Sequence, residues 1–107
     1  MVASTLFSKI ANVMIDGTIT IKSISGSSSQ ELTLVPSVSG NTTQYFLIFG
    51  KIYTNTAVAY MAIYYADEFY LHSLGGTGTI TASGTTLTFS QGYPSVTVIS
   101  TRSFTLE

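Results

Sequence analysis

The stretch YFLIFGKIYTNTAVAYMAIYY, residues 45–65, consists of two long apolar runs joined by the segment TNT at 54–56. A three-residue connection that contains asparagine is typical of a β-hairpin. The helical alternative applies to the second run, where Tyr60 and Tyr64 stand four residues apart and alanine favours helix. That run has no cap and no polar face, so we predict two paired strands. Because apolar residues occupy both faces, we expect the hairpin to lie mid-sheet and to be covered on two sides.

Shorter stretches on either side of the hairpin also have the pattern of strands. In GTITIKSIS, Ile19 and Ile21 alternate with polar residues, which is the period of a half-buried strand. ELTLVP, residues 31–36, repeats this alternation with two leucines. FYLHSL, residues 69–74, is predicted to follow the hairpin as a third strand of the same meander, across a turn at 66–68.

The C-terminal third of the chain predicts further strands. TITASGTTLTF, residues 79–89, is interpreted as a tight hairpin whose loop is Ser83-Gly84, because glycine tolerates the positive φ that such turns require. VTVISTRSFTL, residues 96–106, is interpreted as one last strand with Val96 and Val98 on its inner face.

Together these segments predict an all-β fold of about eight short strands separated by short loops. This arrangement is typical of an antiparallel β-sandwich, of jelly-roll-like form, or of a small barrel. A chain of 107 residues has the size of one domain, so we expect a single β-domain over residues 1–107.

The two ends of the chain are predicted separately. Residues 1–14 are expected to form an N-terminal arm or a short helix with Leu6, Ile10 and Val13 along one side, although a strand fits nearly as well. The last two residues, 106–107, are expected to be left from a cloning vector.

The composition is unusually poor in charge. Only 8% of residues are charged, where about 25% is typical, and 32 of the 107 residues are serine or threonine. Charged side chains ordinarily protect a surface against association, so we expect a homo-oligomer. A net charge of −1 argues against nucleic acid as a partner. The longest apolar run has ten residues, too few to insert across a membrane.

Few residues of the chain could take part in catalysis or metal binding. The chain has no cysteine and one histidine, His72, without ligands at metal-binding spacing. Asp67 and Glu68 are adjacent, and adjacent strand residues point to opposite faces, so they do not form an acid–base pair. We therefore predict no catalytic residue, no metal site, no cofactor and no enzymatic activity.

The aromatic residues are the remaining candidates for function. Nine of the thirteen lie in the hairpin and the strand after it, more than one face of a small sandwich requires. Subunit contact, pure core and a ligand platform all remain open, since interfaces and saccharide platforms both use tyrosine. The candidates for an interface or platform are Tyr53, Tyr60, Tyr64, Tyr65 and Tyr70. The candidate loop contacts are Asn41, Gln91 and Tyr93.

With hydroxyl-rich alternating strands such as GTITIKSIS, TITASGTTLTFS and VTVISTRSFTL, little charge and no cysteine, the whole chain resembles head domains of bacteriophage tail-fibre and receptor-binding proteins. Small virion structural subunits have a similar composition. The resemblance implies a β-domain, often trimeric, on a virion or extracellular surface, which recognises a bacterial cell-surface saccharide or protein. It includes no family motif and therefore assigns no functional residue.

These observations lead to three functional hypotheses. The first is a non-enzymatic assembly or adhesion module, a virion or tail-fibre component that forms a homo-oligomer, with a trimer favoured. The second is a carbohydrate-binding module that uses exposed tyrosines. The third and most distant is a glycan-cleaving enzyme.

Overall fold

The computed structural model describes residues 19–53 and 55–107, which form an all-β fold. The predicted N-terminal arm or helix, with Leu6, Ile10 and Val13, lies outside the described residues. Within the described part there are strands and turns only, so it has no helix long and apolar enough for a membrane span. The strands are β1 (Thr20–Ile24), β2 (Glu31–Pro36), β3 (Gln44–Ile52), β4 (Thr56–Tyr65), β5 (Glu68–Gly75), β6 (Ile80–Ser83), β7 (Thr86–Phe89), β8 (Ser95–Ser100) and β9 (Phe104–Leu106).

The strands form two antiparallel sheets that pack as a sandwich. One sheet has the order β1-β8-β3-β4-β5, and the other has the order β6-β7-β2-β9. The predicted hairpin is β3 and β4, paired from Gln44↔Tyr64 to Ile52↔Thr56. The prediction of strands rather than helix is therefore confirmed, and the hairpin lies inside the five-stranded sheet.

Two short turns have the backbone geometry that hairpins require. Ala66 and Asp67 connect β4 to β5 with φ values of 53° and 62°, as in a type I′ turn. Gly84 and Thr85 connect β6 to β7, and Gly84 has a φ of 60°, as in a type II′ turn. The second loop lies one residue later than predicted, because Ser83 pairs with Thr86 and belongs to β6.

The core lies between the two sheets, on what we call the inner face of the five-stranded sheet. Phe46 is fully buried at its centre, with its ring edge-on to Phe69 at 5.6 Å and to Phe104 at 5.7 Å. Val96 and Val98 are buried on this face, as predicted. Large apolar side chains from both sheets complete the core, including Leu32, Leu34, Ile48, Ile52, Val58, Ile80, Leu87 and Phe89.

The face of β1 that points to the core is the opposite of the one that its sequence pattern indicates. Ile21 pairs with Ile99 and is 57% exposed, and Ile19 is also exposed. Lys22 lies instead on the inner face, with Nζ 5.8 Å from the centre of the Phe104 ring. Because β1 is an edge strand, the lysine stem can cover the core margin while its ammonium group stays in water. The two isoleucines therefore belong to the outer surface.

The segment predicted as one last strand divides into β8 and β9, which belong to different sheets. A buried glutamine, Gln44, fixes this crossing. Its Nε2 donates to Ser100 Oγ at 2.8 Å and to the Ser103 carbonyl at 3.0 Å, and its Oε1 accepts from the Ser37 backbone N–H at 2.9 Å. Ser100 Oγ in turn donates to the Tyr45 carbonyl at 2.8 Å. Among the described residues, every buried side-chain polar atom has a partner.

Candidate functional site

The side of the five-stranded sheet that faces away from the core, which we call the outer face, is rich in apolar side chains. One cross-strand row runs through all five strands, from Ile21 to Ile99, Leu47, Met61 and His72. Alternation along each strand extends the face in both directions. Its large apolar members include Ile19, Ile21, Tyr45, Leu47, Phe49, Met61, Ile63, Tyr65, Tyr70 and Ile99.

Several outer-face side chains are open to solvent. Ile21 is 57% exposed, Phe49 is 42% exposed and Tyr70 is 52% exposed. Met61, in contrast, is fully buried and lies outside the core cluster. The predicted cover on two sides of the hairpin is therefore complete on the inner face and at Met61, and it is absent at Phe49 and Tyr65. The other large apolar residues of the hairpin on the outer face are half-buried, namely Tyr45, Leu47 and Ile63.

Two of the predicted tyrosines, Tyr65 and Tyr70, lie together at one corner of the outer face. Tyr65 pairs with Glu68, and Tyr70 pairs with Ile63, which makes the two rings diagonal neighbours on one face. Tyr70 donates its hydroxyl hydrogen to Glu68 Oε2 at 3.1 Å. This hydrogen bond, with the charge of Glu68, raises the pKa of Tyr70 above its usual value.

Two other predicted tyrosines, Tyr60 and Tyr64, lie in the core rather than on an exposed face. Each is 7% exposed and points to the inner face. The Tyr64 ring lies 4.8 Å from the ring of Phe69. Burial, followed by the charge of Asp67, raises the pKa of Tyr64. These two residues stabilise the sandwich and are not available to a partner.

Tyr53 and Tyr93 form an exposed pair at the end of the sheet where β3 ends. Their ring centres are 6.2 Å apart with an interplanar angle of 43°, and each residue is more than half exposed. The Tyr53 N–H donates to the Gly92 carbonyl at 2.8 Å, which joins the two loops. Next to them, Thr56 Oγ1 donates to Gln91 Oε1 at 3.1 Å.

The tyrosine pair has an unusual backbone. Tyr53 has a φ of 55° and Tyr93 a φ of 53°, in the left-handed region that bulky residues rarely adopt. Such a conformation costs about 1–3 kcal/mol for each residue. Tyr93 also precedes Pro94, and a residue before proline ordinarily adopts an extended conformation.

The three loop residues predicted as contacts do not come together. Gln91 and Tyr93 lie beside Tyr53, whereas Asn41 belongs to the loop at the opposite end of β3. That loop contacts the β4–β5 turn, where the Ala66 N–H donates to the Gly40 carbonyl at 2.9 Å. The nine residues of β3 separate the two ends by about 30 Å.

The ionisable residues do not form a chemical site in the described structure. No group of three metal-ligating side chains occurs in residues 19–53 and 55–107. An open cleft of about 330 Å³ lies beside the β6–β7 turn, and Glu68 is the one ionisable residue among its lining residues. Glu68 already accepts the Tyr70 hydrogen bond, and His72 is exposed on the outer face.

Sequence reasoning found Tyr65 and Tyr70 but missed their apolar neighbours. The sequence signal for these neighbours was that β3 is apolar on both faces. Tyr45, Leu47 and Phe49 lie on the outer face, and the residues that alternate with them lie on the inner face. For the Tyr53–Tyr93 pair there was no local signal, because the two residues lie 40 positions apart.

Comparisons with known proteins gave no match, whether to a protein-family model, to a curated protein or to a solved structure. Function must therefore be inferred from the chain's own surfaces.

Proposed function

We propose that this protein is a non-enzymatic assembly or adhesion module that forms a homo-oligomer through the outer face. The observation that carries the proposal is the set of exposed apolar side chains on that face, among them Ile21, Phe49, Tyr65 and Tyr70. Extended apolar surface on a soluble domain usually marks a contact with another molecule. The occupant is a second copy of this chain.

The composition of the outer face supports a protein contact. Interface cores are rich in tyrosine, phenylalanine and methionine and poor in charge. The charged residues of the outer face are Lys51, at the end of β3, and Glu68, at the start of edge strand β5. The middle of the face, around Leu47 and Met61, has none. Association therefore leaves no charge buried without a partner at the centre.

The dimensions of the outer face also suit an interface. Five strands spaced by about 4.8 Å, with about eight residues of β4 along the other direction, give roughly 600 Å² of projected area. A standard interface buries about 800 Å² of accessible surface on each partner. The two values agree in order of magnitude, because accessible area exceeds projected area.

The phage-type identity is supported by the composition of the chain. Hydroxyl-rich strands and a charged fraction of 8% suit a subunit that is permanently packed against copies of itself. We assign the protein to the class of virion or tail-fibre components, and a trimer is the stoichiometry that the resemblance favours. Its location would then be a virion or extracellular surface.

The test is the molar mass in solution, measured by light scattering over a concentration series. We expect a stable mass of at least twice the 11.4 kDa chain for the unmodified protein, and about three times that mass if the trimer favoured by the resemblance is correct. Ile21→Lys combined with Tyr65→Lys places two charges on the outer face and should give a monomer. Thr81→Lys is the matched control, since Thr81 is exposed on β6 of the other sheet.

A second measurement separates loss of association from loss of folding. All variants should retain the far-ultraviolet circular dichroism of the unmodified chain, because Ile21 and Tyr65 lie outside the core. A chain that stays monomeric at every concentration would overturn the proposal.

A further inference from the structure

We propose that the Tyr53–Tyr93 pair is a binding site for a neutral saccharide. The site lies at the end of the sandwich and includes the hydrogen-bonded side chains of Thr56 and Gln91, and Asn55 is exposed in the same loop as Tyr53. It is separate from the corner of the outer face formed by Tyr65 and Tyr70, which lies at the other end of β4.

The two rings form a suitable surface for a sugar. Their centres are 6.2 Å apart and their planes are inclined by 43°, so the rings form a shallow, angled aromatic surface. The face of an aromatic ring carries negative charge density, which attracts the weakly positive C–H groups on the flat side of a pyranose. Two such rings can contact one sugar ring each, or both contact the same one.

The backbone indicates that the tyrosines are not required by the fold. Both residues have φ values in the left-handed region, at 55° and 53°, where asparagine or glycine is far better suited than tyrosine. Their side chains are 55% and 56% exposed, so they contribute little to the core. Residues kept in a strained conformation without a packing role are concentrated at binding sites.

The polar groups around the rings match the chemistry of a sugar. Asn55 and Gln91 are exposed amides, and Thr56 supplies a hydroxyl that donates to Gln91 Oε1 at 3.1 Å. Amide and hydroxyl groups both donate and accept hydrogen bonds, as sugar hydroxyls require. None of these residues or the two tyrosines is a carboxylate or a cation, which favours a neutral ligand; the cation nearest in the sequence is Lys51, two residues before Tyr53.

The experiment is a titration of the isotope-labelled full chain with maltotetraose, cellotetraose, mannotetraose and chitotetraose, followed by aromatic ¹H–¹³C spectra. We expect saturable shifts of the Tyr53 and Tyr93 ring signals with at least one of these sugars. Tyr53→Asn and Tyr93→Asn should each weaken binding by at least about tenfold, the size of effect seen when an aromatic hot spot is removed. Thr81→Asn, which places the same amide on exposed β6 of the other sheet, is the control and should leave the affinity unchanged.

Thermal unfolding of the same variants distinguishes a binding role from a structural one. Because asparagine tolerates the left-handed conformation, Tyr53→Asn and Tyr93→Asn should melt at or above the midpoint of the unmodified chain. The proposal is overturned if none of the four sugars shifts either ring, if both variants bind normally, or if the variants melt well below the unmodified chain. Binding of a proline decamer in place of the sugars would also overturn it, because the ligand would then be a peptide.

Discussion

Replacing the buried Gln44 with leucine should destabilise the protein strongly, although leucine has a similar size. The carboxamide donates to Ser100 Oγ and to the Ser103 carbonyl and accepts from the Ser37 N–H, all within 3.0 Å. At about 1 kcal/mol net for each hydrogen bond, the loss is about 3 kcal/mol. The two serines and the carbonyl at the sheet crossing would be left with fewer partners in a site where Gln44 itself is fully buried.

The assay is urea unfolding of Gln44→Leu, followed by circular dichroism and supported by thermal melts. A loss of about 3 kcal/mol corresponds to a fall in the melting midpoint of roughly 10–25 °C for a domain of this size. Gln91→Leu is the matched control, because Gln91 is exposed and should change stability by less than about 0.5 kcal/mol.

A double-mutant cycle identifies the hydrogen bonds as the cause. Ser100→Ala alone should cost about 1–2 kcal/mol, because Ser100 Oγ also donates to the Tyr45 carbonyl. The two substitutions together should cost less than their sum, since they share the bond of 2.8 Å between Gln44 and Ser100. If Gln44→Leu loses less than about 1 kcal/mol, or if the cycle shows no coupling, the hydrogen bonds of Gln44 do not stabilise the crossing.

Three further substitutions test the backbone and the core. Ala66→Gly should raise the free energy of unfolding by about 0.5–1 kcal/mol, because it relieves a left-handed alanine at a φ of 53°; an unchanged urea midpoint would contradict this. Gly50→Ala should cost about 3 kcal/mol, since the added Cβ would lie 2.2 Å from the Ser95 carbonyl oxygen; a variant as stable as the parent in urea would contradict it. Burial raises the pKa of Tyr64 in the folded chain, so this hydroxyl stays neutral at a pH where the unfolded chain already loses the proton. The free energy of unfolding should therefore fall as the pH rises above about 10. In Tyr64→Phe the free energy of unfolding should fall less between about pH 9 and 11 than in the unmodified chain. An equal fall would mean that other ionisable groups cause the pH dependence.

The local part of the fold could be predicted from the sequence. The hairpin of residues 45–65 was recognisable because two long apolar runs flank a short polar connection. The inner positions of β2 and β8 followed from simple alternation, and Leu32, Leu34, Val96 and Val98 are buried as predicted. In each case the deciding information lies within about ten residues of sequence.

The parts that were not predicted depend on distant residues. Alternation in β1 separates its residues into two faces but does not say which face packs against the core. In the structure, Lys22 rather than Ile21 lies on the inner face. The division between β8 and β9 occurs at Thr101–Ser103, without the glycine or proline that usually marks a break. It is held by Gln44, more than fifty residues earlier in the chain.

The strand order has a consequence for how the protein is made. β1 pairs with β8, and β2 pairs with β9, so two strands from the first third of the described chain have neighbours in its last fifteen residues. A ribosome adds roughly 5–20 residues each second, so β1 and β2 wait several seconds for partners during synthesis. The meander β3-β4-β5 can pair as soon as it emerges, but its β3 edge stays open until β8 appears. Nascent chains are therefore most exposed to wrong pairing in the interval before Ser95–Ser100 is synthesised.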